Sequence, residues 1–217
     1  MSRTMKQTKN AKSETVWYVP ASNGRDFTEG ADNLRRWYSH AWESEKVEGV
    51  SWYPVARQAA QQLAERYHLP LTVTAAVIAV LSPQMKWTQN IAAAETVIRN
   101  ALVGMTPEDY KIATYPVNKR KAHAIALSGT IDINPKTSPK VYSFWSNICD
   151  PSSDFVTVDR HAIKVWLDCA DGGSAAFPPS LYPKVADDYR LVARELGLSP
   201  AALQAILWVT YKRVVGR

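Results

Sequence analysis

The stretch Ser153-Asp154-Phe155-Val156-Thr157-Val158-Asp159-Arg160-His161-Ala162-Ile163-Lys164-Val165-Trp166 decides how the rest of the chain is read. Phe155, Val156 and Val158 favour extended backbone, whereas Ala162, Ile163, Val165 and Trp166 recur at helical spacing. Between them stands Asp159, a residue type that caps helix starts, so the sequence predicts an extended segment turning into a helix with a carboxylate at its entrance. The free N–H groups and the macrodipole of such an entrance favour the ionised side chain, making Asp159 a fixed anion. That anion can cap the helix, and it can also stabilise a positive charge developing on a ligand. The residues by themselves leave both roles open, the cap being the commoner.

Working outward, the chain has 217 residues, 46% hydrophobic and 21% charged, which supplies a full core for one domain or two interlocked lobes. A net charge of +6 and a pI of about 9.3 suit a polyanionic partner such as nucleic acid. No apolar run approaches the ~18 residues needed to span a bilayer, and the longest, Ala75 to Leu81, stops at Ser82-Pro83. The first residues are basic with no apolar segment behind them, so no secretory signal is expected and the protein is read as cytoplasmic. Cys149 and Cys169 make no disulfide framework and no zinc spacing, and are read as reduced, mostly buried thiols.

Residues 1–15 carry Arg3, Lys6, Lys9 and Lys12 with almost nothing to bury, which predicts a disordered basic tail ahead of one two-lobed helical domain over 16–217. Helices are predicted over Asn33–Trp42 and Pro54–Tyr67, with Trp37, Trp42, Trp52 and Tyr53 packing between them. Thr72 or Thr74 is placed to cap a buried helix ending at Leu81, and after the polar turn Ser82-Pro83-Gln84 a second helix runs to Leu102. A short helix is expected near Glu108–Ala113. Asn118 then precedes a helix closing at Gly129, and Thr137-Ser138-Pro139 starts one from Lys140 to Ile148. The Asp159 helix ends near Cys169. Two more follow, from Tyr182 to Leu196 before Gly197, and from Ser199-Pro200 to Val214. With no repeat and no sustained strand alternation, the class is all-α.

With these pieces in order, the chain resembles the helix-hairpin-helix DNA glycosylase superfamily, the group of endonuclease III and 8-oxoguanine glycosylase. Leu81-Ser82-Pro83-Gln84 is similar to that family's L-S-A-Q turn, Asn118-Lys119-Arg120-Lys121-Ala122 to its N-x-K-A helix start, and Val158-Asp159-Arg160-His161 to the V-D-x-H bearing its catalytic aspartate. Ser138-Pro139-Lys140-Val141 falls where the hairpin reads G-x-K. Lys140 lies nineteen positions before Asp159, a separation similar to that in the 8-oxoguanine branch. The resemblance spans about Leu69 to Arg213, the last helix included. The hairpin glycines are replaced by Lys136-Thr137-Ser138-Pro139, and proline has no N–H with which to hold a phosphate. The four cysteines of an iron–sulfur loop are absent, so no cofactor is expected. The chain looks most like short phage-type members, whose setting would be the host cytoplasm.

What the resemblance implies is a monomer acting on double-stranded DNA, with a cleft between two lobes lined by Gln84, Lys140 and Asp159. A base must leave the stack before chemistry, and Gln84 would fill the gap, with Trp87 beside it or simply packed in the core. Asp159 would stabilise positive charge on the sugar during cleavage of the N-glycosidic bond. Lys140 would be the Schiff-base amine of a bifunctional enzyme, or a solvated lysine. His161 would touch substrate or phosphate, or be a structural partner of the cap. Lys119, Arg120, Lys121, Arg160 and Lys164 would meet phosphates, or form a solvated charged face. Base excision is the expected function. A phage transferase that puts an amine on a modified thymine, and a DNA-binding protein without catalysis, are the two rivals.

Overall fold

A computed structural model describes residues 6–9, 15–18, 29–168 and 179–215. Among them the regular structure is helical apart from one hairpin, so the chain is all-α. The helices are α1 (Gly30–Ser39), α2 (Glu43–Tyr67), α3 (Leu71–Leu81), α4 (Trp87–Leu102), α5 (Pro116–Ser128), α6 (Pro139–Cys149), α7 (Arg160–Trp166), α8 (Tyr182–Glu195) and α9 (Pro200–Val215). A 3-10 turn, Pro179–Leu181, leads into α8. No described helix is long and apolar enough to cross a membrane.

The hairpin departs from the expected structureless tail. Strand β1 (Lys6–Lys9) pairs antiparallel with β2 (Thr15–Tyr18), Lys6 opposite Tyr18 and Lys9 opposite Thr15. Thr15, Val16, Trp17 and Tyr18 all suit extended backbone, and they supply the partner that the lysine-bearing segment lacks alone. Cys169 and the glycine-containing loop Asp171-Gly172-Gly173-Ser174 lie outside the described residues.

Contacts divide the chain into two compact units, residues 52–157 and residues 1–51 with 158–217, the division falling inside α2. In the first, α3 is the core helix. It is apolar on every side, and Val73 to Leu81 are all buried where α4, α5 and α6 pack on it. Leu71 starts this helix directly after Pro70, and Thr74 does not cap it: its hydroxyl donates to the Ala60 carbonyl (2.9 Å) inside the core. Helix α5 begins earlier than Asn118 because Pro116 takes the first-turn position where a missing N–H does no harm, and it closes on Gly129 at φ 70°. No helix forms at 108–113. There Asp109 Oδ2 accepts from the Thr106 N–H (2.6 Å) and hydroxyl (2.8 Å), and the Tyr110 ring is buried with its hydroxyl 3.0 Å from His123 Nδ1.

In the second unit α9 plays the central part, with α1, α7 and α8 packed along it. Trp166 is its largest fully buried side chain. The indole N–H donates to Asp188 Oδ2 (2.8 Å), and the Trp166 carbonyl accepts from Asn33 Nδ2 (2.8 Å). Helix α2 starts at Glu43, well before Pro54. Glu45 reaches back to accept the Trp42 N–H (2.8 Å) as in a capping box, and Pro54 sits inside the helix at the loss of one backbone hydrogen bond. Trp42, expected in the packing, is instead exposed, with the Arg213 guanidinium stacked on its ring at 3.9 Å.

Glu45 is buried and held by Arg213, whose guanidinium keeps the carboxyl below its ordinary value of 4.5. A carboxylate lowered on folding contributes stability above its unfolded value and loses that contribution as pH falls through the folded one. The melting-temperature gap between wild type and Glu45→Gln is therefore expected to be widest above about pH 5 and to close on acidification. A gap independent of pH would contradict the ion pair.

Candidate active site

The residues that lead to Asp159 are fixed in place before the helix begins. Val156, Thr157 and Val158 are buried. Thr157 Oγ1 accepts from the Tyr53 hydroxyl (3.0 Å) and Asn147 Nδ2 (3.2 Å), and Asn147 Oδ1 accepts from the Ser153 hydroxyl (2.7 Å). The Val158 N–H donates to the Tyr182 hydroxyl (3.2 Å). Asp159 follows in extended conformation as the N-cap of α7, and its Oδ1 accepts from the N–H groups of His161 (2.9 Å) and Ala162 (2.8 Å).

His161 of α7 and Tyr189 of α8 stand near that carboxylate, and α9 meets the His161 ring. Oδ2 lies 3.3 Å from His161 Nδ1, and the Asp159 and His161 side chains are 19% and 29% exposed, so the pair is sheltered yet reachable from solvent. The His161 ring meets Tyr211 (5.6 Å between centroids) and, edge-on, Trp208 (6.5 Å, 90°). Lys212 Nζ sits 4.0 Å over the Trp208 ring. Tyr189, fully buried, donates from its hydroxyl to the Ala162 carbonyl (3.2 Å). Burial, and secondly the Asp159 charge, push its phenol well above the ordinary value, so it stays a neutral donor.

The remaining candidates of α7 part company. Arg160 is exposed and free to meet a phosphate. Lys164 is buried at 5% exposure, which corrects its reading as a phosphate contact. A seven-residue helix packed against both α1 and α9 has little surface to offer, and the lysine is enclosed by that packing.

In the unit of residues 52–157, Gln84 is exposed and holds a left-handed backbone, φ 62°. It follows Pro83 in a turn closed by the Met85 N–H on the Ser82 carbonyl (3.2 Å), the arrangement of a type II turn, where glycine or asparagine is usual at this position. A glutamine kept there carries about 1 kcal/mol of backbone strain. Gln84→Gly is accordingly expected to raise stability by about 0.5–1 kcal/mol in a thermal melt. A variant that is less stable would show that the turn is not strained. Trp87 opens α4 half-buried, its ring 5.2 Å from Trp52, which in turn meets Tyr53 and Phe144. It is a packing residue at the edge of an aromatic cluster.

The basic triplet of α5 is largely engaged. Lys119 donates to the Tyr110 carbonyl (2.8 Å) and lies over that ring, and Arg120 pairs with Glu108 (3.2 Å), which leaves Lys121 as the cation with no described partner. Lys140 sits half-buried in the first turn of α6, and no hydrogen bond or ion pair joins it to another described residue. The turn before it is organised by Asn134. The Asn134 side chain accepts the N–H groups of Lys136 (2.8 Å) and Thr137 (3.4 Å), and its carbonyl accepts that of Ser138 (2.9 Å). With Pro139 next, the backbone donors that a glycine turn would turn toward a phosphate are already occupied.

The family of unknown function DUF7178 matches residues 18–214. The protein belongs to that family. No curated protein and no solved structure matches the chain.

In this DUF7178 member, no group of three or more His, Cys, Asp or Glu side chains among the described residues is arranged to hold a metal ion. Burial pushes the Cys149 thiol up to about 11, which keeps it protonated at neutral pH. The sequence reading missed Tyr189 near Asp159, Trp208 and Tyr211 against His161, and Lys212 over Trp208. For the last three a signal existed: positions 208, 211 and 212 have the i, i+3, i+4 spacing of one helix face. Nothing local marks Tyr189.

Proposed function

We propose that this protein excises a base from DNA by hydrolysing the N-glycosidic bond, with Asp159 as the carboxylate that stabilises the sugar cation. The observation that supports the reading best is the way Asp159 is held. One oxygen is fixed by two backbone N–H groups, so the charge is oriented before a substrate arrives and little reorganisation is left for the transition state. The order and spacing of the Leu81–Gln84, Asn118–Ala122, Lys140 and Val158–His161 segments, similar to those of helix-hairpin-helix DNA glycosylases, supply the substrate class. The strained, exposed Gln84 suits a residue that enters a duplex when a base leaves it.

On this reading Arg160, Lys121 and Lys140 meet phosphates, and water is the nucleophile, because no described group positions the Lys140 amine for attack. Borohydride should therefore trap no covalent adduct between the protein and DNA. An adduct that disappears in Lys140→Ala would assign Lys140 the nucleophile's role instead. The reading itself is tested with duplex oligonucleotides carrying single modified bases such as uracil, 5-hydroxymethyluracil or 8-oxoguanine. Alkali-labile strands and free base are the expected result. An intact strand carrying a heavier nucleoside would point to amine transfer onto a modified thymine, and binding without any change would point to a protein that only reads DNA.

A further inference from the structure

We infer that His161 is the proton acceptor of the reaction, held ready by Asp159 and walled by Trp208 and Tyr211. The inference deepens the proposal above and rests on it. Three observations carry it. His161 Nδ1 faces Asp159 Oδ2 at 3.3 Å, so the carboxylate accepts the Nδ1–H and fixes which nitrogen of the neutral ring is bare. That nitrogen is Nε2, and no described residue bonds to it. The ring is also kept from turning: it meets the Tyr211 and Trp208 rings, and its own backbone N–H is tied to Asp159 Oδ1 at 2.9 Å. A histidine that served only to brace the cap would need the Nδ1 contact alone. A partly exposed ring with one nitrogen oriented by a carboxylate and the other left open is arranged to take a proton from a nucleophile.

The step balances as follows. A water proton moves to His161 Nε2 while the water oxygen bonds to the sugar C1′. The C1′–N bond breaks with its electron pair staying on the base nitrogen, and the imidazolium passes its proton to the departing base or to solvent. Asp159 serves twice, offsetting the imidazolium and the sugar cation, and one carboxylate can do so because the two charges develop in the same step.

Two measurements on the full chain test this. In nitrogen-15 NMR of the wild type, the neutral His161 ring should carry its proton on Nδ1. In assays on a duplex bearing 5-hydroxymethyluracil or whichever modified base is released, His161→Ala should lose about a hundredfold or more in rate and regain at least tenfold with added imidazole. A proton on Nε2, a His161→Ala rate within about threefold of wild type, or no rescue by imidazole would each overturn the inference. If His161→Ala stays active while Asp159→Asn is dead, only the inference falls. An active Asp159→Asn removes the underlying reading with it.

Discussion

Asp159→Asn should lose base release about a thousandfold, roughly 4 kcal/mol at the transition state, and still fold. Asparagine caps a helix about as well as aspartate, so the bonds from the His161 and Ala162 N–H groups survive, and stability should stay within about 1 kcal/mol of wild type. What disappears is the negative charge that faces His161 and, on the proposed reading, the sugar. Asp159→Ala gives the complementary result: equal loss of activity, with the cap bonds gone as well and about 1 kcal/mol or more of stability lost. Comparing the two variants separates the carboxylate's chemical role from its capping role. If the asparagine variant kept full activity, the residue would be a cap and nothing more.

The second large effect is on stability. Gly49 lies in α2 where that helix crosses α9, and a Cβ there would stand 2.5 Å from the backbone N and Cα of Ile206. Neither helix backbone can yield locally, so Gly49→Ala forces the two apart. The expected loss is about 3 kcal/mol, more than the ~1 kcal/mol that alanine gains over glycine in a helix. For a chain of this size that is a fall of roughly 6–12 °C in melting temperature. Gly30→Ala should behave alike, since its Cβ would enter the ring of Trp166, which Asp188 pins from the other side. Unchanged melting of both variants would show that the Gly49 and Gly30 positions do not hold these helices in close contact.

Much of the architecture was legible because local chemistry and tertiary packing agree. Gly129 and Gly197 end their helices with positive φ, Ser199-Pro200 starts α9, and the apolar run 75–81 is the core helix it reads as. Misreadings arose where distant partners decide. Pro54 looks like a helix start until Glu45 is seen closing α2 on Trp42, and Glu108–Ala113 looks helical until Asp109 folds back on Thr106. Asp159 was legible as a cap. Its surroundings were less so: Tyr189 and the α9 face come from residues 30 and more positions away, and Tyr189 carries no local signal. Charge was the least reliable signal. Lys119 and Arg120 found partners inside their own unit and Lys164 was enclosed by packing, so of the basic candidates among the described residues Lys121, Arg160 and Lys140 remain open cations.

Mass spectrometry of the nucleosides and free bases left after DNA meets the protein reaches the central claim most directly. DNA rich in modified thymine should yield free base and matching abasic sites with wild type, and neither with Asp159→Asn. DNA whose nucleosides are unchanged by the wild-type protein, or altered equally by both, would contradict the account.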